Sequence, residues 1–283
     1  MKILDFVKSI FGFINNNFKA LLFILIIYLI FFSSQNDSLK SANLVQIDLK
    51  GPIMDFSLLE EIDKVAKDDA IKGVLLNIDS PGGALSQSVE ISMAIKNLSS
   101  KKPVIAYASG TMASGSYLSG VWANEIWANP GSFIGSIGVI MQSVNIENLM
   151  QKIGIKEQVV SAGDFKQAGT FMRKWSDLER QSLQNLVDKS YELFTNEVAN
   201  ARKLDLQKKD EWANAKVFLA NEAANLGLID GVSNYFEVKQ KVEEISQVED
   251  PVWRQKSSYE KFMDEFSQKS ESLLMNFLGV KIY

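Results

Sequence analysis

The stretch IKGVLLNIDSPGGALSQSVEISMAIKNL, residues 71–98, predicts a β-strand that passes through a glycine turn directly into an α-helix. Residues 71–79 are mostly apolar, as in a strand that is buried on both faces of a sheet. The turn SPGG at 80–83 permits a tight change of direction, and helical spacing follows it. A strand–turn–helix unit of this kind is typical of an α/β protein.

The same order of elements recurs along the chain. Ser176 and Glu179 form the S-x-x-E pattern of a capping box, which predicts the start of a long helix. Strands that alternate with helices favour a parallel sheet, so the predicted fold class is α/β. Further strands are predicted at 44–49, 102–109, 125–130, 137–141 and 156–163, and further helices at 57–69, from the turn at 113–116 to about 122, and at 146–154.

The composition restricts the possible chemistry. The 283-residue chain contains no histidine and no cysteine, which excludes a Ser-His-Asp triad, a thiolate nucleophile and a cysteine-based zinc site. Its formal net charge is −4, without the basic surplus that nucleic-acid binding requires. We therefore expect no nucleic-acid partner, no metal site and no cofactor.

The N-terminal region predicts a membrane anchor. ALLFILIIYLIFF, residues 20–32, is uninterruptedly apolar, and no charge occurs before Asp37. Seventeen uncharged residues from 20 to 36 give a helix of about 25 Å, at the short edge of a membrane span. Lys2, Lys8 and Lys19 precede this segment and favour a cytoplasmic N-terminus. A buried core helix and a cleaved signal peptide are the alternatives, although FFSSQNDS contains no small-x-small cleavage site.

A second glycine turn, in SGTMASGSYLSG at 109–120, places Ser114 between Ala113 and Gly115. This turn and the one at 79–83 each present free backbone N–H groups at a helix N-terminus. If the two turns face each other, Gly83 and Gly115 would form an oxyanion hole beside a nucleophilic serine. Glycine-rich turns before helices are also ordinary loops, so the pattern leaves both interpretations open.

A nucleophilic serine needs a base, and histidine is absent. A neutral lysine can take this role if burial lowers its pKa from about 10.4 towards 7–8. Among the 30 basic residues, Lys166 is a candidate because SAGDFKQAG at 161–169 places it in a loop of small residues before the long helix. A solvated loop lysine is the alternative interpretation.

Several motifs together resemble one known family. NIDSPGG, MASGSY, PGSFIGSIGVIM, GDFKQAG and AANLGLIDGV follow one another over roughly residues 43–235. This series resembles the signal peptide peptidase A family (protease IV, the S49 serine peptidases). The resemblance implies the Clp protease/crotonase superhelical fold and a serine peptidase with a Ser/Lys dyad.

The family's functional residues can be placed on this sequence by their motifs. The resemblance implies that Ser114 is the nucleophile and Lys166 the general base, and that Ser136 of GSIG hydrogen-bonds the lysine. It implies an oxyanion N–H at Gly82 or Gly83, opposite Gly115. This chain has ASGSY instead of the commoner double glycine, and we expect Ser116 to leave the dyad undisturbed.

The resemblance also implies assembly and location. The chain has one copy of a domain that long family members carry twice, and the family forms its sites between adjacent domains or protomers. A homo-oligomer with sites at protomer interfaces is therefore expected, anchored in the bacterial inner membrane with its catalytic domain on the extracytoplasmic side. Its expected substrates are unfolded hydrophobic peptides such as cleaved signal peptides.

The predicted organisation is a cytoplasmic stub and anchor at 1–36, a linker at 37–42, a peptidase domain at 43–240 and an amphipathic tail at 241–283. Two other functions stay open from the sequence. One is a catalytically inactive membrane scaffold of the same fold. The other is a crotonase-type acyl-CoA enzyme, for which no carboxylate acid/base pair is identifiable.

Overall fold

The computed structural model describes residues 13–32 and 41–256. The chain divides into one unit of 1–41 with 254–283 and a second unit of 42–253. In the first unit, helix α1 spans Phe18–Phe32. Within the described ranges, no helix combines the length and apolar character that crossing a membrane requires. The predicted linker up to residue 40, and the predicted tail from 257 onward, lie outside the described residues.

The second unit contains strands and helices that alternate along the chain. Its strands are β1 (Leu44–Lys50), β2 (Gly73–Ser80), β3 (Val104–Ala113), β4 (Glu125–Ala128), β5 (Phe133–Gly135), β6 (Val217–Leu219) and β7 (Gly231–Val232). Its helices are α2 (Ser57–Lys67), α3 (Leu85–Ser99), α4 (Gly115–Gly120), α5 (Glu147–Lys152), α6 (Asp177–Arg202), α7 (Lys209–Trp212), α8 (Ala220–Asn225) and α9 (Tyr235–Ile245).

The strands form a mainly parallel sheet in the order β1-β2-β3-β4-β7. The short strand β5 pairs in parallel with the end of β3, and β6 pairs antiparallel with β5. Helices pack on both faces: the larger apolar cluster includes residues of α2, α3 and α4, and a smaller one joins Leu75 and Ile105 to Val238 and Val242 of α9. The α/β class with a parallel sheet is confirmed, and the Clp protease/crotonase superhelix within that class stays a prediction.

Most of the predicted elements form, including the capping box. The Ser176 hydroxyl accepts from the N–H of Glu179 at 3.2 Å, and the Glu179 carboxylate accepts from the N–H of Ser176 at 2.8 Å. These reciprocal bonds satisfy backbone donors that the first helical turn leaves without partners. Helix α6 begins at the next residue, Asp177.

The strand predictions at 137–141 and 156–163 are wrong for the structure of the single chain. Residues 136–146 and 155–161 carry no regular structure, and residues 151–166 are exposed throughout. A strand needs a neighbour to accept its backbone hydrogen bonds, and none of the strands in the described chain pairs with these segments. These two segments therefore have the apolar pattern of a strand but no neighbouring strand to pair with among the described residues. We call residues 151–166 the arm.

Candidate active site

Ser114 occupies the turn between β3 and α4 in a strained conformation. Its backbone has φ 54° and ψ −126°, a region that non-glycine residues rarely adopt and that is common at functional sites. The Ser114 N–H donates to the carbonyl of Gly135 at 2.8 Å, and its own carbonyl accepts from Leu118 at 3.1 Å. Strand β5 and the first turn of α4 thus hold this conformation from both sides.

The glycine turn after β2 packs directly against Ser114. Gly82 has φ +95°, and a Cβ placed on it would lie 2.6 Å from the Gly115 nitrogen and 2.9 Å from the Ser114 Cβ. A Cβ on Gly83 would lie 2.1 Å from the carbonyl oxygen of Ile53. Only glycine fits at either position, because the two turns and the segment around Ile53 approach at backbone distance.

Two backbone donors next to Ser114 lack acceptors. The N–H of Gly82 donates to the Ser80 hydroxyl at 3.2 Å, whereas the N–H groups of Gly83 and Gly115 make no hydrogen bond with any described residue. The two donors are close, since a Cβ on Gly115 would lie 3.2 Å from the Gly83 nitrogen. Free N–H groups beside a serine can bind the negative oxygen of a tetrahedral intermediate. The geometry therefore favours Gly83 and Gly115 over Gly82 as donors.

An apolar cavity of about 220 Å³ opens beside Ser114. Its lining comes from four parts of the chain: the start of α3, the Ser114 turn with α4, the segment after β5, and helix α6. Such a cavity suits an aliphatic or aromatic side chain of a peptide better than a charged one. The lining residues are Gly83, Ala84, Leu85, Ser114, Gly115, Leu118, Gly138, Val139, Ile140 and Phe194.

Ser136 lies close to the same turn. It directly follows Gly135, whose carbonyl accepts from Ser114, and its own N–H donates to the Lys216 carbonyl at 2.7 Å. Ser136 is half-buried with φ 49°. Its hydroxyl makes no hydrogen bond within the described residues, so it is available to a group that approaches from outside.

The structure does not bring Lys166 to this site. Lys166 is exposed in the turns at the end of the arm, and its N–H donates to the Gly163 carbonyl at 3.2 Å. Its ammonium group has no hydrogen bond or ion pair among the described residues, and it is absent from the lining of the Ser114 cavity. The described residues of the single chain thus bring together Ser114, which is the predicted nucleophile, both free donors and Ser136. They leave Lys166, the predicted base, outside.

Comparison with known proteins then identifies the family. The model of peptidase family S49 matches residues 96–249, more than half of the chain. The chain belongs to peptidase family S49. The matched range contains Ser114, Ser136 and Lys166, whereas Gly82 and Gly83 precede it.

Several known proteins are similar to this chain over about two thirds to three quarters of its length. A protein of Methanocaldococcus jannaschii named as a candidate protease is 34% identical, over 67% of this chain and 61% of its own length. Protease 4 of Haemophilus influenzae is 27% identical, over 77% of this chain and 37% of its own. The solved 1510-N membrane-bound stomatin-specific protease shares 18% identity, with a TM-score of 0.49, over 72% of this chain and 86% of that one. The chain thus spans less than two thirds of the length of these two curated relatives.

The sequence alone does not indicate what Ser116 and Tyr117, which follow Ser114 and Gly115, contact in the fold. Tyr117 is fully buried and donates its hydroxyl to the Leu228 carbonyl at 2.6 Å, and burial raises the pKa of this phenol. Ser116 is also fully buried, and its hydroxyl contacts residues of two different turns. The signal in the sequence was the departure ASGSY itself, which marks Ser116 but does not reveal its partners.

Proposed function

We propose that this chain is a serine endopeptidase in which Ser114 is the nucleophile and Lys166 the general base. The observation that carries the proposal is the strained Ser114 turn, which lies beside the free N–H groups of Gly83 and Gly115 and an apolar cavity. Membership of peptidase family S49 supports the same chemistry.

The proposed reaction begins when the neutral amine of Lys166 takes the proton of the Ser114 hydroxyl as Oγ attacks the peptide carbonyl carbon. The carbonyl oxygen becomes negative and accepts hydrogen bonds from Gly83 and Gly115. The lysine ammonium then protonates the departing amine, which leaves an ester on Ser114. Water, deprotonated by the same lysine, attacks this ester, and the lysine ammonium returns that proton to the Ser114 oxygen as the acid product leaves.

We infer that Lys166 comes from a neighbouring copy of the chain. The inference is supported by the exposed, unpaired Lys166 and by the unpaired Ser136 hydroxyl beside the nucleophile. The arm exposes apolar side chains, among them Ile153, Val160 and Phe165. A second copy that covers the arm would exclude water from Lys166. This exclusion lowers the pKa of a lysine, which must be neutral to act as a base. Homo-oligomerisation is thus part of the proposed mechanism.

The proposed substrates are unfolded hydrophobic peptides, including cleaved signal peptides. The cavity supports this class because Leu85, Val139, Ile140 and Phe194 line it. The relatives' names point the same way, since one curated relative is named as a candidate signal peptide peptidase.

Membrane anchoring at the bacterial inner membrane is proposed from the apolar run at 20–32 and the lysines that precede it. The N-terminus would be cytoplasmic and the peptidase domain extracytoplasmic. Added protease should therefore digest the domain in intact spheroplasts. Protection in intact spheroplasts together with digestion after lysis would reverse the orientation.

The proposed nucleophile is tested with the full chain and a serine-directed fluorophosphonate. The reagent should add one adduct on Ser114, found by mass spectrometry of peptides, and should stop hydrolysis of a peptide ester. Ser114→Ala should neither react nor turn over substrate, while the exposed Ser143→Ala should do both normally. Hydrolysis that persists in Ser114→Ala would end the proposal.

A further inference from the structure

The buried hydroxyl of Ser116 bridges the two turns of the proposed site. Ser116 is the second residue of α4 and is fully inaccessible to solvent. Its oxygen accepts the N–H of Ala113 at 2.8 Å. It also lies 2.6 Å from the carbonyl oxygen of Ser80 and 2.9 Å from that of Ala113. A hydroxyl has one proton, and the shorter contact favours donation to Ser80.

Each partner of Ser116 belongs to one half of the site. Ala113 is the last residue of β3 and directly precedes the nucleophile Ser114. Ser80 is the last residue of β2 and begins the turn that carries Gly83. The hydroxyl is thus a direct polar link between the turn with the nucleophile and the turn with one free N–H group.

This link lies where the sheet stops aligning the two strands. The parallel register of β2 and β3 is regular from Val74 opposite Val104 to Ile78 opposite Ala108. It then shifts, and Ser80 lies opposite Met112. Because the ladder is interrupted there, backbone pairing alone does not determine how the two strand ends sit relative to each other. The Ser116 hydroxyl contacts the last residue of each strand, Ser80 of β2 and Ala113 of β3.

We propose that Ser116 is a positioning residue that sets the spacing of the Gly83 and Gly115 donors around the Ser114 oxygen. The inference rests on the proposed peptidase function and adds a residue to it. Donors of this kind stabilise the transition state only if they are held at hydrogen-bond distance from the developing oxyanion. The substrate's ground state depends on them less, so losing the link should reduce turnover more than binding.

The test compares Ser116→Ala with the matched variant Ser119→Ala in the full chain. Ser119 is a buried serine of the same helix, and its hydroxyl donates to the Gly115 carbonyl at 2.8 Å. The Ser119 hydroxyl also lies 3.4 Å from the Ser88 carbonyl oxygen of the neighbouring helix, and it makes no hydrogen bond with the described residues of the Ser80 turn. Both variants lose a buried hydroxyl, but only Ser116→Ala loses the link between the turns.

We expect Ser116→Ala to lower kcat for a peptide ester by about 10- to 100-fold, less than the loss of a whole oxyanion donor, with KM within about twofold. The affinity of a peptide boronate, whose tetrahedral adduct on Ser114 places an oxygen at the two donors, should fall by the same factor as kcat/KM. Ser119→Ala should keep both quantities within about threefold.

The proposal is overturned if Ser116→Ala keeps its kcat, if its boronate affinity is unchanged, or if Ser119→Ala loses as much as Ser116→Ala. Should Ser116→Ala fail to fold, Ser116→Cys decides by the same criteria, since a thiol is a weaker donor and acceptor of similar shape. These outcomes are separate from failure of the peptidase proposal. That failure would appear as turnover in Ser114→Ala.

Discussion

The turns around Ser114 and the arm that carries Lys166 are opposite in character within one chain. Residues 112–120 are buried except at Ser114, and hydrogen bonds to β2, β5 and α3 hold them in place. The arm at 151–166 is exposed along its whole length, and the Lys166 ammonium has no partner among the described residues. One half of the proposed dyad is preorganised by its own chain, whereas the other half lies exposed, with no surface of the described residues covering it.

This difference has a physical reason. A nucleophile turn must hold donors within tenths of an ångström, which only close backbone packing achieves. A lysine base needs desolvation, and any apolar surface that covers it can supply this. A chain can therefore build the first half internally and leave the second half to assembly. In the proposed mechanism the site would then be complete only in the oligomer.

The largest expected effect comes from the base. Lys166→Arg should lower kcat by about 10²- to 10⁴-fold. A guanidinium is not deprotonated at working pH, so it cannot serve as the base. Ser114→Ala and Lys166→Ala should each be inactive alone. When their subunits are mixed, dissociated and reassembled, activity should return, since some interfaces pair an intact Ser114 with an intact Lys166.

The control for this mixture is each variant taken through the same reassembly alone, which should stay inactive. Hybrid oligomers can be verified by native mass spectrometry with one isotope-labelled variant. Verified hybrids without activity would place both dyad residues in one chain and remove the proposed contrast between the two regions.

Substitutions at two glycines test the difference in packing between the Ser114 turns and the arm. Gly82 and Gly163 have similar backbone angles, φ +95° and φ +91°, but only Gly82 is crowded, since a Cβ added to Gly163 would have nothing within 4 Å. Gly163→Ala should cost about 1 kcal/mol from backbone strain alone. Gly82→Ala should cost several kcal/mol and reduce kcat about tenfold or more, because the turns must separate. Thermal unfolding and ester hydrolysis of the two variants measure both effects.

Equal destabilisation of the two glycine variants would show that the Ser114 turns are no more tightly packed than the arm. A large effect of Gly163→Ala on activity, with little effect on stability, would instead place the end of the arm inside the working site of the oligomer.

The smallest expected effect concerns the start of α6. The Glu179 carboxylate accepts hydrogen bonds from the Arg173 guanidinium and from the N–H of Ser176. These bonds lower the pKa of Glu179 from 4.5 to about 2. A depressed pKa contributes stability above the unfolded value, and the contribution is lost as the pH falls from about 4.5 to about 2. Glu179→Gln should therefore lower Tm by about 2–4 °C at pH 7, and this deficit should vanish near pH 2.

Glu60→Gln is the control, because Glu60 forms an exposed ion pair with Lys64 at 3.7 Å and should hardly change Tm at any pH. If the Tm of Glu179→Gln stays below that of the original protein by the same amount from pH 7 to pH 2, the charge of Glu179 does not stabilise the fold.

The S-x-x-E pattern predicted the start of α6 because neighbouring residues satisfy the backbone groups of its first turn. The apolar run before SPGG predicted β2, whose partner strands β1 and β3 lie elsewhere in the chain and do pair with it. The segments at 137–141 and 156–163 have the same apolar character as true strands. They failed as predictions because a strand depends on a partner that lies elsewhere.

The sequence by itself determined the α/β class, the two glycine turns before helices, and a chemistry without histidine or cysteine, since each follows from residue types and short spacings. Only the tertiary structure decided that Gly83 lies beside Gly115, that the Ser116 hydroxyl reaches Ser80, and that Lys166 lies apart from Ser114. These relations join residues about 30 to 50 positions apart. They depend on how the sheet brings strand ends together, which no local pattern records.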